Sequence, residues 1–557
     1  MQEGILMSQI FKGKKKADKQ KLRGGYYTPK PLADFLTEWA IRTGKELIVE
    51  PSCGDGNFVV SALERLQSLR ATGKARIVAV ELDTPEIEKA QSRVAEINRK
   101  GLKVDWRNTD FFDVYSELQA KKFNVVIGNP PFIRFQHFDD ATREIAFQHL
   151  RKAGYRPTKL ANAWAAFIQL SIEMLAPKGK LAMVVPAELL QVNYAVELRE
   201  RIAQQFEHII IVTFKKLVFP DIQQEVILLL AEGKRDTIKD TSDVHTVEIN
   251  SGTELSTAIL EKKIAHKEAK HARPGMKWTS FFLDDDVFEI LDTVQKDNRL
   301  YRLGELAHVD IGIVTGRNSF FVLDRESVKK WHLEKFVIPL VGKTASINSI
   351  KFGIDEFEAH ASTLPAYLLH LKDIPSSKFN KSLAKYIKLG EQEEVHLGYK
   401  CGIRKRWYEV PSVYVSDGFL FRQIHKYPLL VVNDAGAACT DTIHRVRLVG
   451  DADIHQVAAS FINSLTFAWS EVCGRSYGGG VLELEPAEAD ELPIPYFPDV
   501  NLDFEYVNKC LSENRLEDAL DYVDDELLIK KLRLTKKKVA SLRNAWKILS
   551  GRRLNRK

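Results

Sequence analysis

The chain has 557 residues, 45% hydrophobic and 28% charged, with a net charge of +6, and this length and composition suit two or three globular domains. Its longest apolar runs, such as Val226–Ala231, are far too short to span a membrane, and the stretch from Met1 to Arg23 has no apolar core of signal-peptide length. Five cysteines, at 53, 401, 439, 473 and 510, form no C-x-x-C pair, which argues against a disulfide framework or a metal site and for a reducing, cytoplasmic compartment.

Charge is unevenly placed. Residues 1–30 carry +6 and residues 530–557 carry +12, which leaves −12 for the body between them. A basic end is either a solvated flexible arm or a contact to polyanions.

In chain order, Tyr26-Tyr27-Thr28-Pro29 precedes a helical run, Leu32–Ile41, and Thr28 reads as its N-cap with Pro29 at the first helical position. Glu46–Val49 predicts a short strand, Phe58–Leu69 a helix, Arg76–Val80 a strand and Pro85–Asn98 a helix. Further strands are expected at Lys103–Arg107 and Phe123–Ile127, then a helix at Ala161–Leu175, a turn at 177–179 and a strand at Lys180–Val185. A helix at Tyr194–Gln205 leads to two close strands, His208–Phe214 and Glu225–Ala231. Alternating strands and helices predict an α/β fold with a mostly parallel sheet covered on both faces, the last two strands closing it as an antiparallel hairpin. Residues 232–277 are polar and read as a linker or peripheral arm. From Trp278 short β-like segments broken by glycines predict a second, α+β domain to about residue 500, and 501–549 look helical.

Chemistry concentrates after the strands of the first half. The first strand runs into Glu50-Pro51-Ser52-Cys53-Gly54-Asp55-Gly56. In an open α/β sheet, ligands bind at the carboxyl ends of strands. Glu50 there suits a cationic ligand better than a pyrophosphate, and the full G-x-G-x-x-G fingerprint is absent. The second strand ends in Glu81-Leu82-Asp83, where an acid typically takes two ribose hydroxyls. After the third, Asp110 can accept from an adenine amine while Phe111 packs on the base. The fourth ends in Gly128, then Asn129-Pro130-Pro131-Phe132. Two prolines stiffen this corner and remove two donors, so it presents the Asn129 side-chain oxygen and the Pro130 carbonyl as acceptors for a planar amine, with Phe132 as a flat apolar face. A proline-rich turn after a strand is the plain alternative.

This ordered set resembles the S-adenosylmethionine-dependent N6-adenine DNA methyltransferases of the gamma class, and within them the TaqI-like group. The likeness is carried by Tyr27-Thr28-Pro29, Glu50 to Gly54, Glu81-Leu82-Asp83, Asp110-Phe111, Asn129 to Phe132, Leu160 to Phe167 and Val218-Phe219-Pro220. The resemblance implies a Rossmann-like class I methyltransferase domain with a C-terminal α+β target-recognition domain. It divides the chain into a basic arm at 1–23, the methyltransferase domain at 24–245, a linker at 246–277, the recognition domain at 278–500 and a helical basic segment at 501–557. It assigns S-adenosylmethionine to a pocket lined by Tyr27, Thr28, Glu50, Ser52, Cys53, Gly54, Glu81, Leu82, Asp110, Phe111 and Asn129, with Glu50 facing the ammonium. It gives catalysis to Asn129, Pro130, Pro131 and Phe132, and stacking of the flipped adenine to Phe132 and Phe219. Phe132 stands where many relatives have Tyr, which keeps stacking and removes a hydroxyl.

In the second half, Gly312 to Asn318 and Arg475 to Gly480 resemble TaqI-like recognition domains more loosely. Arg404-Lys405-Arg406-Trp407-Tyr408 mixes cations with aromatics, as DNA contacts require, or is a solvated turn with one buried Trp. Thr315, Arg317, Arg404, Lys405, Arg406 and Arg475 are the candidate DNA contacts. The expected partner is double-stranded DNA, with a cognate restriction endonuclease acting separately, no membrane association, no metal and a monomeric chain. Methyl transfer to RNA or to protein glutamine, a bifunctional restriction–modification enzyme, and a subunit of a larger defence complex are the competing readings.

Overall fold

The computed structural model describes residues 27–71, 76–98, 102–134, 137–158, 162–216, 218, 225–239, 241–344, 347–477 and 479–555. They form two compact units, the first comprising the residues up to Phe282 together with Tyr477, Gly479 and Asn555, and the second Leu283–Ser476 and Gly480–Leu554.

The first unit contains, in order, α1 (Lys30–Ala40), β1 (Ile48–Glu50), α2 (Asn57–Ser68), β2 (Ile77–Glu81), α3 (Thr84–Ile97), β3 (Val104–Asn108), α4 (Phe111–Lys121) and β4 (Phe123–Gly128). Then follow α5 (Asp140–Lys152), α6 (Ala163–Met174), β5 (Leu175–Pro186), α7 (Val196–Gln205), β6 (His208–Phe214), β7 (Val226–Glu232), β8 (Asp243–Ile249), α8 (Thr257–Ala265) and β9 (Lys270–His271). The strands make one sheet in the order β3-β2-β1-β4-β5-β7-β6-β8-β9. β1 to β5 run parallel, β7 lies antiparallel between β5 and β6, β8 is parallel to β6, and β9 is antiparallel to β8.

The central strands are buried on both faces, and their alternate residues feed two cores. Val49, Val78, Val80 and Val126 join α4, α6 and α7 on one side. Ile48, Ile77, Ala79, Val125 and Ile127 join α1 and α2 on the other. Near-continuous aliphatic strands are what two-sided burial in a parallel sheet selects. Strand order reverses at β1, which pairs with β2 on one side and β4 on the other. The loops leaving β1 and β4 therefore diverge and open a crevice at the carboxyl edge.

Four expectations are corrected. Thr28 is not the N-cap of α1: Pro29 holds that position without a side-chain cap, and Thr28 is buried before it. The turn at 177–179 lies inside β5, where the register with β4 shifts between Phe123 and Val125. The polar stretch read as a linker supplies β8, α8 and β9, so the β6–β7 hairpin does not close the sheet. Only Val244, Val247 and Ile249 of β8 are buried, too sparse an apolar signal to read as a strand. Trp278 and Phe281 belong to the first core, so the second unit starts at Leu283.

The second unit carries small sheets and a helical group. Its antiparallel four-stranded sheet has β10 (Ala307–Ile311), β11 (Gly418–Phe421), β12 (Leu430–Val432) and β13 (Ile443–Leu448) in the order β10-β13-β11-β12. Gly312 follows β10 so closely packed that a Cβ would stand 2.0 Å from the Thr440 carbonyl oxygen. Helices α9 (Asp285–Val294), α10 (Ser464–Cys473) and α11 (Lys536–Leu554) pack together. The basic C-terminal stretch is thus a docked helix rather than a solvated arm. Arg543 pairs with Asp524 at 2.8 Å and with Glu517 at 3.2 Å, and Lys547 with Glu517 at 2.8 Å. Arg553 is buried against Glu471 at 2.6 Å and also donates to the His425 carbonyl at 2.7 Å and to the Gly480 carbonyl.

Removing one partner of a buried ion pair leaves the other uncompensated and costs about 3–5 kcal/mol. Arg553→Ala is expected to lose that much unfolding free energy in denaturant titration. A loss below about 1 kcal/mol, the range of exposed pairs, would place the pair in solvent.

Candidate active site

A cavity of about 470 Å³ opens where the loops after β1, β2, β3 and β4 meet. Tyr27, Thr28, Glu50, Ser52, Cys53, Gly54, Glu81, Leu82, Asp110, Phe111 and Asn129 all line it, together with Pro131. Phe132 does not; its ring is half-buried against both hydrophobic cores. Phe219 falls outside the described residues.

The loops are tied to one another by short-range chemistry. After β1 the chain turns at Gly56, whose φ is +86° and where a Cβ would stand 2.6 Å from that of Ala90, so only glycine lets α2 meet α3 here. Glu81 clamps two loops: its Oε2 accepts from the Gly54 amide and its Oε1 from the Asp83 amide, both at 2.8 Å. Arg93 donates to the Asp55 carbonyl at 2.8 Å and to Asn57 Oδ1 at 2.6 Å, and Asn57 Nδ2 donates to the Thr28 carbonyl at 2.9 Å. Ser52 Oγ donates to the Asn129 carbonyl at 3.4 Å, joining the β1 loop to the β4 corner. Asp110 caps α4, accepting from the Phe112 amide at 2.8 Å. Asp110 and Glu81 thus each hold backbone as well as facing the cavity.

One side of the cavity is acidic. Glu50 is 1% exposed, and its Oε2 has no hydrogen-bond partner among the described residues. Burial, reinforced by the charges of Glu81 and Asp55, pushes its carboxyl well above the usual carboxylate range. Burial also raises Glu81 and Asp110. The Cys53 thiol is pushed up by burial and then by Glu50, so it stays protonated. The other side is aromatic: Phe111 stacks on Phe167 with centroids 4.9 Å apart, and Phe112 meets Phe167 edge-on at 4.9 Å. Leu82 is 65% exposed at the rim. Unshared carboxylate oxygens facing apolar walls suit a ligand that combines a planar ring, hydroxyls and a cation.

Ile133, Phe138, Ala163 and Phe167 also line the cavity and were not assigned from sequence. Ala163 and Phe167 are four apart on α6, a spacing that puts them on one face. Ile133 and Phe138 lie beyond the β4 corner, where no periodicity marks them.

The candidate DNA contacts divide. Arg404 is spent inside the fold, donating to the Thr315 carbonyl at 2.7 Å and the Val314 carbonyl at 3.2 Å, over the Phe321 ring. Arg406 pairs with Glu409 and donates to the Ile374 carbonyl at 3.1 Å. Arg475 is held by buried Glu488 at 2.8 Å. Thr315 is buried and bonded to Asn318. Trp407 packs near Phe320, Phe321 and Tyr408. In the ligand-free fold these side chains are tied to neighbouring groups of the second unit. Arg317 and Lys405 remain exposed.

A mostly parallel sheet with an antiparallel β7 and a cavity at its switch point, acidic on one side and aromatic on the other, defines an open α/β fold of the ligand-binding kind. Residues 10–280 match the N-6 DNA Methylase family, and residues 275–528 match the C-terminal domain of the Type II methyltransferase M.Eco57I. The chain belongs to the N6-adenine DNA methyltransferase family. It is similar to the Type II methyltransferase M.AccI of Acinetobacter calcoaceticus, with 21% identity over 84% of each chain. It is also similar to M.XamI of Xanthomonas campestris pv. amaranthicola, with 22% identity over 85% of each. Among solved structures, the Type IIL restriction-modification enzyme MmeI, determined in complex with DNA, superposes with a TM-score of 0.58 at 12% identity, over 98% of this chain and 81% of that one. No helix of the described residues is long and apolar enough to cross a membrane.

Because burial raises the folded-state pKa of Glu50, its stabilising contribution is present at low pH and is lost as pH rises through that raised value. Glu50→Gln carries no such charge. Melting temperatures of the ligand-free protein are expected to fall from pH 5.5 to 8.5 more steeply for wild type than for this variant (roughly a few degrees). Parallel curves would show that Glu50 is solvated.

Proposed function

We propose that the protein is the modification enzyme of a restriction–modification system, moving a methyl group from S-adenosylmethionine to the N6 amine of an adenine flipped out of duplex DNA. The single observation that carries this reading is the Asn129-Pro130-Pro131-Phe132 corner after β4, of which Asn129 and Pro131 line a cavity that also holds Glu50, Glu81 and Asp110. The Type II methyltransferases similar to it across more than four fifths of its length support the same substrate class. The order of the motifs along the chain assigns it to the gamma class, TaqI-like group.

The residues present fit the cofactor. The orphaned Oε2 of buried Glu50 would hold its ammonium. Glu81 would take ribose hydroxyls with the lone pairs its two amide contacts leave. Asp110, Phe111 and Leu82 would hold the adenine, and Tyr27, Thr28, Ser52, Cys53 and Gly54 would close the wall. When bound, S-adenosylmethionine supplies a methyl group already activated on sulfur.

The chain's own residues do the rest. Asn129 and the Pro130 carbonyl accept from the two amine hydrogens, draw the nitrogen lone pair out of conjugation and stabilise the positive charge that develops on it. Stacking on the flipped base falls to Phe219 and to Phe132, whose half-buried ring sits beside the cavity rather than in its wall and would present its exposed side to the base. Each such stack is worth roughly 1–3 kcal/mol, which offsets much of the few kcal/mol that flipping requires. A separate endonuclease would read the same sequence, and a single chain suffices for one-strand modification.

The deciding experiment expresses the chain in a host lacking adenine methylation and reads its genomic DNA by modification-sensitive long-read sequencing. N6-methyladenine at one recurrent motif is expected. Asn129→Ala should lower transfer by roughly 10²–10³-fold, as loss of a transition-state contact does, while calorimetry still detects cofactor binding. Loss of cofactor binding in that variant would contradict the assigned role.

Arg317 and Lys405 are the DNA-contact candidates left exposed. Lys405→Ala is expected to weaken DNA binding uniformly across sequences and to reduce the salt slope of log K by about 1. An unchanged slope would remove Lys405 from the interface.

A further inference from the structure

Between β5 and α7 the chain makes a loop, residues 187–195, whose carbonyls are gripped by two cationic side chains. Arg199, 2% exposed, donates to the carbonyls of Leu189 at 3.0 Å and Val192 at 2.9 Å. Lys277 donates to the Gln191 carbonyl at 2.9 Å and to Asn193 Oδ1. Moving this loop would strip buried charges of their acceptors, a costly change in a low-dielectric setting. The loop is therefore a stiff platform at the carboxyl edge of the sheet.

The platform presents Glu188 and Tyr194 side by side. The Tyr194 hydroxyl donates to Glu188 Oε2 at 2.8 Å and accepts from Asn162 Nδ2 at 2.9 Å. Asn162 occupies the N-cap position of α6, yet its side chain caps no amide of that helix. It is turned toward Tyr194 instead. Trp164, the fully buried second residue of α6, sets its ring 5.9 Å from that of Tyr194. The residue between them, Ala163, donates its amide to the Ile133 carbonyl at 3.0 Å. Ile133 is the outgoing end of the corner that begins at Asn129, and two fixed proline φ angles lie between. A continuous path thus runs from Glu188 through Tyr194 and Asn162 to Ala163, Ile133 and the corner.

We infer that Tyr194 is a positioning residue for methyl transfer: through Asn162 it fixes the start of α6, whose Ala163 amide fixes the far end of the Asn129–Ile133 segment. This rests on the reading of Asn129 as the amine acceptor. In-line transfer needs the reacting atoms roughly 3–3.5 Å apart, and a misplacement of about 1 Å costs on the order of 10²-fold in rate. The acidic side of the cavity is built on the loops after β1 and β2 and is held by Glu81 and Arg93, meeting this path only at the 3.4 Å contact of Ser52 with the Asn129 carbonyl. Loss of the Tyr194 hydroxyl therefore acts on turnover far more than on cofactor affinity.

The test uses the full chain, unmethylated bacterial genomic DNA and S-adenosylmethionine tritiated on its methyl group. Tyr194→Phe keeps the ring against Trp164 and removes only the hydroxyl. It is expected to lower kcat roughly tenfold or more, with the calorimetric Kd for the cofactor and the melting temperature close to wild type. Glu188→Gln keeps an acceptor for the hydroxyl and is expected to retain most of kcat. Wild-type kcat in Tyr194→Phe, or a fall in kcat matched by an equal loss of cofactor affinity, would overturn the inference. Wild-type protein that binds the cofactor but methylates no adenine overturns the proposed function instead, before any variant is compared.

Discussion

Two-sided burial of β1, β2 and β4 is the constraint on which the rest of the first unit depends. With aliphatic side chains committed to a core on each face, polar groups can emerge only where the strands end. The order reversal at β1 then makes the carboxyl edge a crevice rather than a flat rim. Most polar groups of the cavity stand at the strand ends, in the loops this edge supplies or in the segment before α1, with Glu86 of α3 and Thr142 of α5 added from helices. The loops do not float: Glu81 joins two of them, Ser52 reaches the β4 corner, and Arg93 with Asn57 fixes the backbone at Thr28. Preorganisation of this kind is what lets a site hold a reacting geometry without paying for it at the moment of reaction.

The electrostatics of the cavity follow from that burial. Glu50 is enclosed by its own strand end and shares the space with Glu81 and Asp55, so its ionised form is disfavoured until a cation joins it. A site arranged so discriminates by charge: a ligand with an ammonium gains a partner, and an anionic ligand meets several carboxylates. The facing aromatic wall of Phe111, Phe112 and Phe167 gives a planar group an apolar surface of the opposite character.

The second unit spends much of its positive charge on itself. Arg404, Arg406, Arg475, Arg543 and Arg553 each terminate on a carboxylate or on backbone carbonyls within the unit. An arginine count in such a domain therefore overstates the surface available to a polyanion, because a planar guanidinium is also an efficient fastener of loops. Net charge along the sequence measures composition; which cations face solvent is decided by packing.

Much of the first unit was legible because its signals are local. Aliphatic strands, helical spacing and acids placed at strand ends follow from the residues themselves, and the pocket-lining set from Tyr27 to Asn129 is found together around one cavity. Strand β8 was not legible, since three buried aliphatics among polar residues do not distinguish an edge strand from an arm. Ile133 and Phe138 carried no mark because they enter the site through the path of a loop, and Thr28 was mistaken for a cap because both roles ask for the same short polar side chain. Arg404 beside Trp407 reads equally as a DNA contact or a fastener, and only the tertiary structure shows that it also holds the Thr315 carbonyl. By itself the sequence determined the alternation of elements and the chemistry at each strand end, both properties of short windows. Tertiary structure alone decided the strand order, the closing of four loops on one cavity and the internal pairing of the C-terminal cations, because each depends on groups far apart in the chain finding one another.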